Sequence, residues 1–407
     1  PGERARLLGQ QALRLARAGR RDEALATSMQ ATELHRRLAE ASPADHGAGF
    51  AAELISLSLH QSAVGRRNEA AVVAVEAVNV HRHLVQADPD AFGSNLARAL
   101  NNLGSLLVES RRGAEALPHL EEAAHLNRRI AEADPATPPA MLATSLSNLA
   151  GALSSAGRHD ESLAAVEEAS GLYRRMAGAE PDRYLPDLAA VLNNLAISLA
   201  QSGRHEEARI AAEEAIAILR RLAEVNPAVH TRALFASVQT MSLRLSSLKR
   251  HPEALTAAVE AVQIARRMSD ADPFASRPDL ALALNNLAPC LAAVGRPKEA
   301  MKAAREAVDL HRALSLDDPA ANVVGRATAL CTFAQVAVRV RRDLVRAGEC
   351  GAEAVLLLRE LAGESPDAFG RQLLEAYRAQ AGVYAAMGRE EEAAALESQI
   401  RSLSGPS

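Results

Sequence analysis

Residues 96–135 read LARALNNLGSLLVESRRGAEALPHLEEAAHLNRRIAEADP, and variants of this stretch recur from one end of the chain to the other. The second Arg of its central turn returns at Arg20, Arg66, Arg112, Arg158, Arg204, Arg250, Arg296 and Arg342, a step of 46 residues, and again at Arg389 after 47. The closing Pro keeps the same step through Pro43, Pro89, Pro135, Pro181, Pro227, Pro273 and Pro319, then slips by one to Pro366. One residue is therefore inserted between Arg342 and Pro366. A period held this strictly predicts a stacked-repeat architecture and overrides the length-based expectation of two or three globular domains. The reading gives nine repeats in a single domain over 1–407, at approximately 1–46, 47–92, 93–138, 139–184, 185–230, 231–276, 277–322, 323–369 and 370–407.

Inside the repeat, Leu96, Leu100, Leu103 and Leu107 fall on one face of a first helix, A. After the turn, Ala116, Leu120, Ala123 and Ile130 mark a second amphipathic helix, B, of about 20 residues. Gly19, Gly65, Gly157, Gly203, Gly295 and Gly388 precede the turn Arg, where helix A has to end in a left-handed conformation. Glu23, Glu69, Glu115, Glu161, Glu207, Glu253 and Glu299 place a carboxylate in the first turn of B, where it suits the helix dipole. Ala31, Ala77, Ala123, Ala169, Ala215, Ala261, Ala307 and Ala354 hold one position in eight successive B helices. Ser58, Gly104, Ala150, Ala196, Ser242, Ala288 and Ala334 hold another in A, so both rows mark close helix contacts.

Composition fits that reading. Apolar residues make up 48% of the chain, aromatics only 2%, and Trp is absent, as in closely packed Ala- and Leu-rich helices. Lys is confined to Lys249, Lys298 and Lys302, an Arg bias that points to a GC-rich genome. A net charge of −4 argues against nucleic acid as a partner. Cys290, Cys331 and Cys350 show no CxxC spacing, which predicts a reducing, cytoplasmic setting. No apolar run approaches the about 20 residues that span a bilayer, so no membrane partner is expected. The chain opens at Pro1 without an initiator Met and runs almost at once into a repeat, which suggests a fragment of a longer protein with a fused domain outside it.

The pattern Leu100-x2-Leu103-Gly104-x2-Leu107 followed by Ala116-x3-Leu120 and Ala123 resembles the tetratricopeptide repeat (TPR). The LNNL runs at 100–103, 192–195 and 284–287 and the GR-x-x-EA turns are most similar to its kinesin-light-chain-like branch, with Leu in place of the family's large aromatics and longer helices. The resemblance implies an all-α, right-handed superhelical solenoid of about nine helical hairpins, with helix A lining a concave groove. It also implies a non-catalytic protein or peptide scaffold in the cytoplasm. Similar arrays in actinobacteria are fused to nucleotide-binding switch ATPases, caspase-like proteases or transcription regulators, so a sensor or regulatory arm of a signalling protein is the alternative.

The resemblance places the groove at positions equivalent to 98, 101, 105, 108 and 109, which share one helical face by spacing. Its candidate peptide-binding residues are Arg98, Asn101, Asn193, Gln201, Gln239 and Asn285, the amides offering donors and acceptors to an extended backbone. The adjacent column, Asn102, Asn148, Asn194 and Asn286, is polar in every copy and reads as a structural ladder bonding the preceding loop. The remaining groove positions are small or apolar, as at Ser105, Gly151, Ile197 and Leu243, without the regularly placed cations that clamp a C-terminal carboxylate. The turn Arg series and a second series ending helix B (Arg36, Arg82, Arg128, Arg174, Arg220, Arg266, Arg312, Arg359) are expected to satisfy terminal carbonyls.

His159, His205 and His251 recur once per repeat, too far apart to share a metal, and His81 and His83 diverge on their helix. No catalytic motif, metal site or cofactor site is recognised. Pro289 inside helix A is expected to kink it and free the Asn285 carbonyl. A small-molecule binder or enzyme using the groove near Pro289 and Cys331 is the remaining alternative, although a buried, hydrophobic Cys331 is the ordinary reading.

Overall fold

The computed structural model describes residues 2–110, 112–134, 138–317, 319–364 and 366–404. These form eighteen α-helices and no strand: α1 (Gly2–Arg17), α2 (Arg21–Ala41), α3 (Pro43–Ala63), α4 (Arg67–Ala87), α5 (Pro89–Glu109), α6 (Gly113–Ala133), α7 (Ala140–Ser155), α8 (His159–Ala179), α9 (Pro181–Gln201), α10 (His205–Val225), α11 (Pro227–Ser247), α12 (His251–Ala271), α13 (Pro273–Ala293), α14 (Pro297–Asp317), α15 (Pro319–Val340), α16 (Leu344–Glu364), α17 (Pro366–Ala386) and α18 (Glu390–Ser404). The chain divides into two compact units, residues 1–215 and 216–407.

The recurrent Pro opens helix A rather than closing B. Pro43, Pro89, Pro181, Pro227 and Pro273 each occupy the first helical turn, where the missing amide has no bond to lose. Asp88 and Asp272 cap two of these starts, accepting 3.0 Å bonds from the amides of Ala91 and Ala275. Pro135 lies outside the described residues. Helix A is thus longer at its front than the Leu pattern alone indicates.

The A-to-B turn is a Schellman closure built from backbone. Gly19 N donates to Ala16 O and Arg20 N to Leu15 O, both at 3.0 Å. The same pair of bonds recurs at Gly65–Arg66, Gly157–Arg158, Gly203–Arg204, Gly295–Arg296 and Gly388–Arg389. The turn Arg therefore closes helix A with its amide, while its guanidinium reaches forward to the Glu three residues on. Arg20 meets both oxygens of Glu23 at 2.7 and 2.6 Å, and Arg112–Glu115, Arg250–Glu253 and Arg296–Glu299 repeat the fork. Those bonds hold the carboxyls of Glu23, Glu115, Glu161 and Glu207 below the usual range. The expectation that the guanidinium caps helix A is corrected: it links the turn to the first turn of B.

Among the described residues two turns lack Gly at the left-handed position, which falls to Lys249 (φ 58°) and Arg341 (φ 52°). A side chain there crowds its own carbonyl at a cost of about 1–2 kcal/mol, part of which returns as extra chain entropy of Gly when unfolded. Lys249→Gly is expected to stabilise the second unit by about 0.5–1 kcal/mol. Gly295→Lys (φ 77°) is expected to cost a similar amount. Urea unfolding would check both, and midpoints that move together in the same direction would refute the strain argument.

The inserted residue is placed at this second irregular turn. Ala347 N donates to Asp343 O, so α16 starts from Asp343, one residue later than the other B helices start after their Arg. Helix α13 continues as one helix through Pro278 and Pro289, and Pro289 is exposed. One stretch, Asn322–Val340 in α15, is long and apolar enough to cross a membrane by length and composition, which corrects the reading of the sequence. About half of it is buried, and α15 packs against α13, α14, α16 and α17, the setting of a core helix.

Candidate peptide-binding face

Each helix packs on its neighbours in sequence, but beyond that the two helix sets differ. In the first unit α1, α3, α5, α7 and α9 touch in succession, and in the second α11, α13, α15 and α17 do, whereas no even-numbered helix touches another in the described backbone. Helices of equal width that meet on one side and splay on the other curve each unit toward the odd side. The even side is held instead by long side chains. Arg36 pairs with Glu76, Arg82 with Glu122, Arg128 with Glu168 and Arg174 with Glu214 in the first unit. Arg220–Glu260, Arg266–Glu306 and Arg312–Glu353 continue the ladder in the second. This corrects the capping role expected for the second Arg series. Such exposed pairs contribute only about 0.2–1 kcal/mol each, so they set spacing more than stability.

The small rows sit in the interior. All eight column alanines from Ala31 to Ala354 are fully buried. Ser58, Gly104, Ala150, Ala196, Ser242, Ala288 and Ala334 are buried as well.

The two asparagines of LNNL turn in opposite directions. Asn101 is only 6% exposed, and its Nδ2 donates to Ser145 Oγ of α7 at 2.6 Å. That serine also accepts from Asn127 Nδ2 of α6 at 2.7 Å and donates to Met141 O. Asn102 points the other way: its Nδ2 donates to Ser58 Oγ of α3 at 2.8 Å. Asn194 does the same toward α7, donating to Ser147 Oγ at 3.1 Å. Asn102 and Asn194 thus bond a side chain of the preceding A helix, not the preceding loop.

Of the other candidates, Gln239 and Asn285 are buried and Asn193 is half-buried. The Oδ1 atoms of Asn101, Asn193 and Asn285 and both amide atoms of Gln239 are buried without a protein partner. Arg98 is exposed and its Nη2 donates to Asn95 Oδ1 at 3.3 Å, while Gln201, also exposed, accepts from Ser154 Oγ at 2.8 Å. Asn148 and Asn286 are half-buried, with no side-chain partner among the described residues.

The odd-helix face therefore carries two parallel columns. One is Ser56, Asn102, Asn148 and Asn194 in the first unit, continued in kind by Thr240, Asn286 and Thr332 in the second, all half-buried. The other includes Leu59 at 53% exposure and Ile197, then Leu243 at 50% and Pro289. Leu59 and Leu282, the latter 46% exposed, went unremarked in the sequence, although Leu59 shares the spacing of Leu243. Charge at the groove positions identified from the sequence is confined to the outer repeats, at exposed Arg6, Arg17, Arg98, Glu109, Arg339, Glu375 and Arg378, while α7, α9, α11 and α13 carry none there. Cys331 is buried, and burial pushes its thiol up to about 12, so at neutral pH it keeps its proton. No group of histidines, cysteines and carboxylates that could hold a metal exists among the described residues.

Tetratricopeptide repeat family models match residues 96–136, 141–221 and 280–320. No curated protein matches in sequence. Among solved structures the fold is similar to BtubC (BKLC) from P. vanneervenii, at 20% identity and a TM-score of 0.50 over 61% of this chain and 92% of that one. It is also similar to aspartyl phosphate phosphatase F from Bacillus subtilis, at 11% identity and 0.58 over 100% and 95%. A third likeness is to a STAND signal transduction ATPase with a tetratricopeptide repeat sensor from Pyrococcus horikoshii, at 12% identity and 0.52 over 91% of this chain and 55% of that one. Over those matched residues the chain carries tetratricopeptide repeats, within a fold of eighteen α-helices among the described residues.

Proposed function

We propose that the odd-helix face is a scaffold surface that binds an extended peptide or a protein segment, without chemistry of its own. The observation that carries this is the pairing, on the odd-helix face of each unit, of an amide and hydroxyl column with a column that includes exposed Leu59 and Leu243, uncharged at the groove positions of α7, α9, α11 and α13. Side-chain amides match the alternating donors and acceptors of an extended backbone, and neighbouring apolar residues receive its side chains. The central Asn column, buried at Asn101 and Asn285, half-buried at Asn193 and in Asn101's case engaged, supports the spacing between A helices. Ligand contact then falls to Asn148, Asn194 and Asn286, with Leu59 on α3, Leu243 on α11 and Leu282 on α13 as the exposed apolar positions of the same helix set. Arg98 and Gln201 stand at the margin and select among ligands.

A displayed random-peptide library panned on the wild type tests this. Asn148→Ala with Leu59→Ser in the first unit, or Asn286→Ala with Leu243→Ser in the second, is expected to weaken the enriched peptides by about tenfold or more. Peptides enriched on the wild type that bind both variants equally would defeat the proposal. A second reading, a sensor arm of a larger signalling protein, draws support from the likeness to the repeat sensor of the STAND ATPase. The sequence of the full gene on either side of this chain decides it: an adjoining phosphate-binding loop supports the arm, and its absence removes the reading.

A further inference from the structure

On the even-helix side of the first unit the turn arginines Arg158 and Arg204 each sit between two carboxylates. Arg158 binds Glu161 of its own helix and Glu121 of α6 at 3.2 Å, and Arg204 binds Glu207 and Glu167 of α8 at 2.9 Å. The corresponding place between α14 and the turn before α16, wholly within the second unit, has the opposite composition. Arg305 stands at the position of Glu121 and Glu167, and Lys298 at that of Asp160 and Glu206. Because Asp343 is inserted, the first turn of α16 brings Arg346 to the place of the partner Glu.

The carboxylates that remain are already matched. Arg305 takes the Asp343 carboxylate, Arg266 lies 3.5 Å from Glu306, and Arg346 lies 3.9 Å from Asp309. Lys298, Lys302 and Arg342 have no anionic partner among the described residues, whereas the turn arginines 20, 66, 112, 158, 204, 250, 296 and 389 each have theirs. Two of the chain's three lysines are in this group. These three cations border one cleft of about 800 Å³, whose floor includes Met301 and Leu310.

We propose that this cleft binds an acidic segment of a partner protein. Its carboxylates pair with Lys298, Lys302 and Arg342, and an aliphatic side chain rests on Met301 and Leu310. Three unpaired like charges at one place favour an anion, and the apolar floor favours a chain that carries side chains over a small inorganic anion. The site is separate in composition from the odd-helix face, and it stands or falls independently of that face's role.

The test is fluorescence anisotropy with two labelled dodecapeptides, four copies of Asp-Glu-Leu and four copies of Asn-Gln-Leu, titrated with the whole chain at low salt. Saturable binding of the acidic peptide, weakened about tenfold or more by combined Lys298→Glu, Lys302→Glu and Arg342→Glu, is expected. The control variant Arg221→Glu with Arg267→Glu, which reverses exposed charges elsewhere on the even helices of the same unit, is expected to bind as wild type. Milder Lys298→Gln with Lys302→Gln gives an intermediate loss and guards against a folding defect in the triple variant. Failure of the wild type to bind, equal binding of the neutral peptide, or equal loss in the control overturns the proposal. So does displacement of the peptide by inorganic pyrophosphate at matched concentration, which would assign the cleft to small anions.

Discussion

Gly104→Ala is expected to lower the stability of the first unit by about 1–3 kcal/mol, although Ala is the better helix former. A Cβ on Gly104 would overlap both Cγ and Cδ2 of Leu120, a fully buried side chain of the facing helix. Cγ is not a free end that swings aside, so α5 and α6 have to separate. Elsewhere in the chain the same pair of positions reads Ser58 with Ala74, Ala150 with Val166, Ser242 with Ala258 and Ala288 with Ala304. The residue facing position 104 is largest where 104 is Gly. Leu120→Ala alone removes a fully buried Leu from the core around Leu100, Leu103 and Leu107, at a cost of about 2–5 kcal/mol. The double variant Gly104→Ala, Leu120→Ala rebuilds the Ala–Ala pair found at Ala288 and Ala304. Its loss is expected to fall below the sum of the single losses by about 1 kcal/mol or more. Hydrogen-exchange protection of α5 and α6 amides is the suitable readout, since stacked repeats open locally. Additive losses would mean that the two residues do not share one volume.

What the sequence made legible is what periodicity controls. Rows of identical residues at a fixed step place helices, turns and close contacts, because every copy solves the same packing problem. The all-α architecture, the left-handed turn residue and the buried alanine row all follow from that. Side-chain partners across copies do not. Arg36 reaches Glu76, forty positions on, and that choice depends on how far successive B helices splay. Nothing in the local string distinguishes such an arginine from one that caps its own helix. The LNNL pair shows the same limit more finely. Spacing puts Asn101 and Asn102 near one face, but whether each looks forward or back is decided by the serines at Ser145 and Ser58 on neighbouring helices. The groove reading accordingly moves from the first column to the second.

The irregular turn teaches the converse. An insertion reads as drift in sequence, yet Asp343 changes the charge pairing around it: it supplies the carboxylate that Arg305 requires, at a turn where Arg346 stands in place of the Glu that Arg342 would have met. A departure from the repeat is informative once the regular copies show what ought to be there.

Acidification from pH 7 to pH 4 is expected to cost the first unit about 2–3 kcal/mol through His81 alone. The imidazole is 1% exposed, and neither ring nitrogen has a hydrogen-bond partner in the protein. Burial, with a smaller contribution from the Arg98 charge, lowers its pKa to about 4, against about 6.5 when unfolded. Between those values the unfolded chain binds the proton and the folded chain does not, so stability is full above the unfolded value and drains as pH falls toward the folded one. Burial lowers His35, His60 and His119 in the same unit, which adds in the same direction. Buried Glu53 acts oppositely: its raised pKa favours folding at low pH and loses that contribution as pH rises. The contribution of His81 is therefore isolated by difference. His81→Leu, which places at this site the residue found at buried Leu219, is expected to flatten the stability curve between pH 6.5 and 4 while His83→Leu, on the exposed face, leaves it steep. Arg98→Gln is expected to shift the acid limb slightly downward in slope, because it removes the charge that opposes His81 protonation. Urea midpoints for these variants across that range decide the matter, and a His81→Leu curve parallel to wild type would show that the acid loss arises elsewhere.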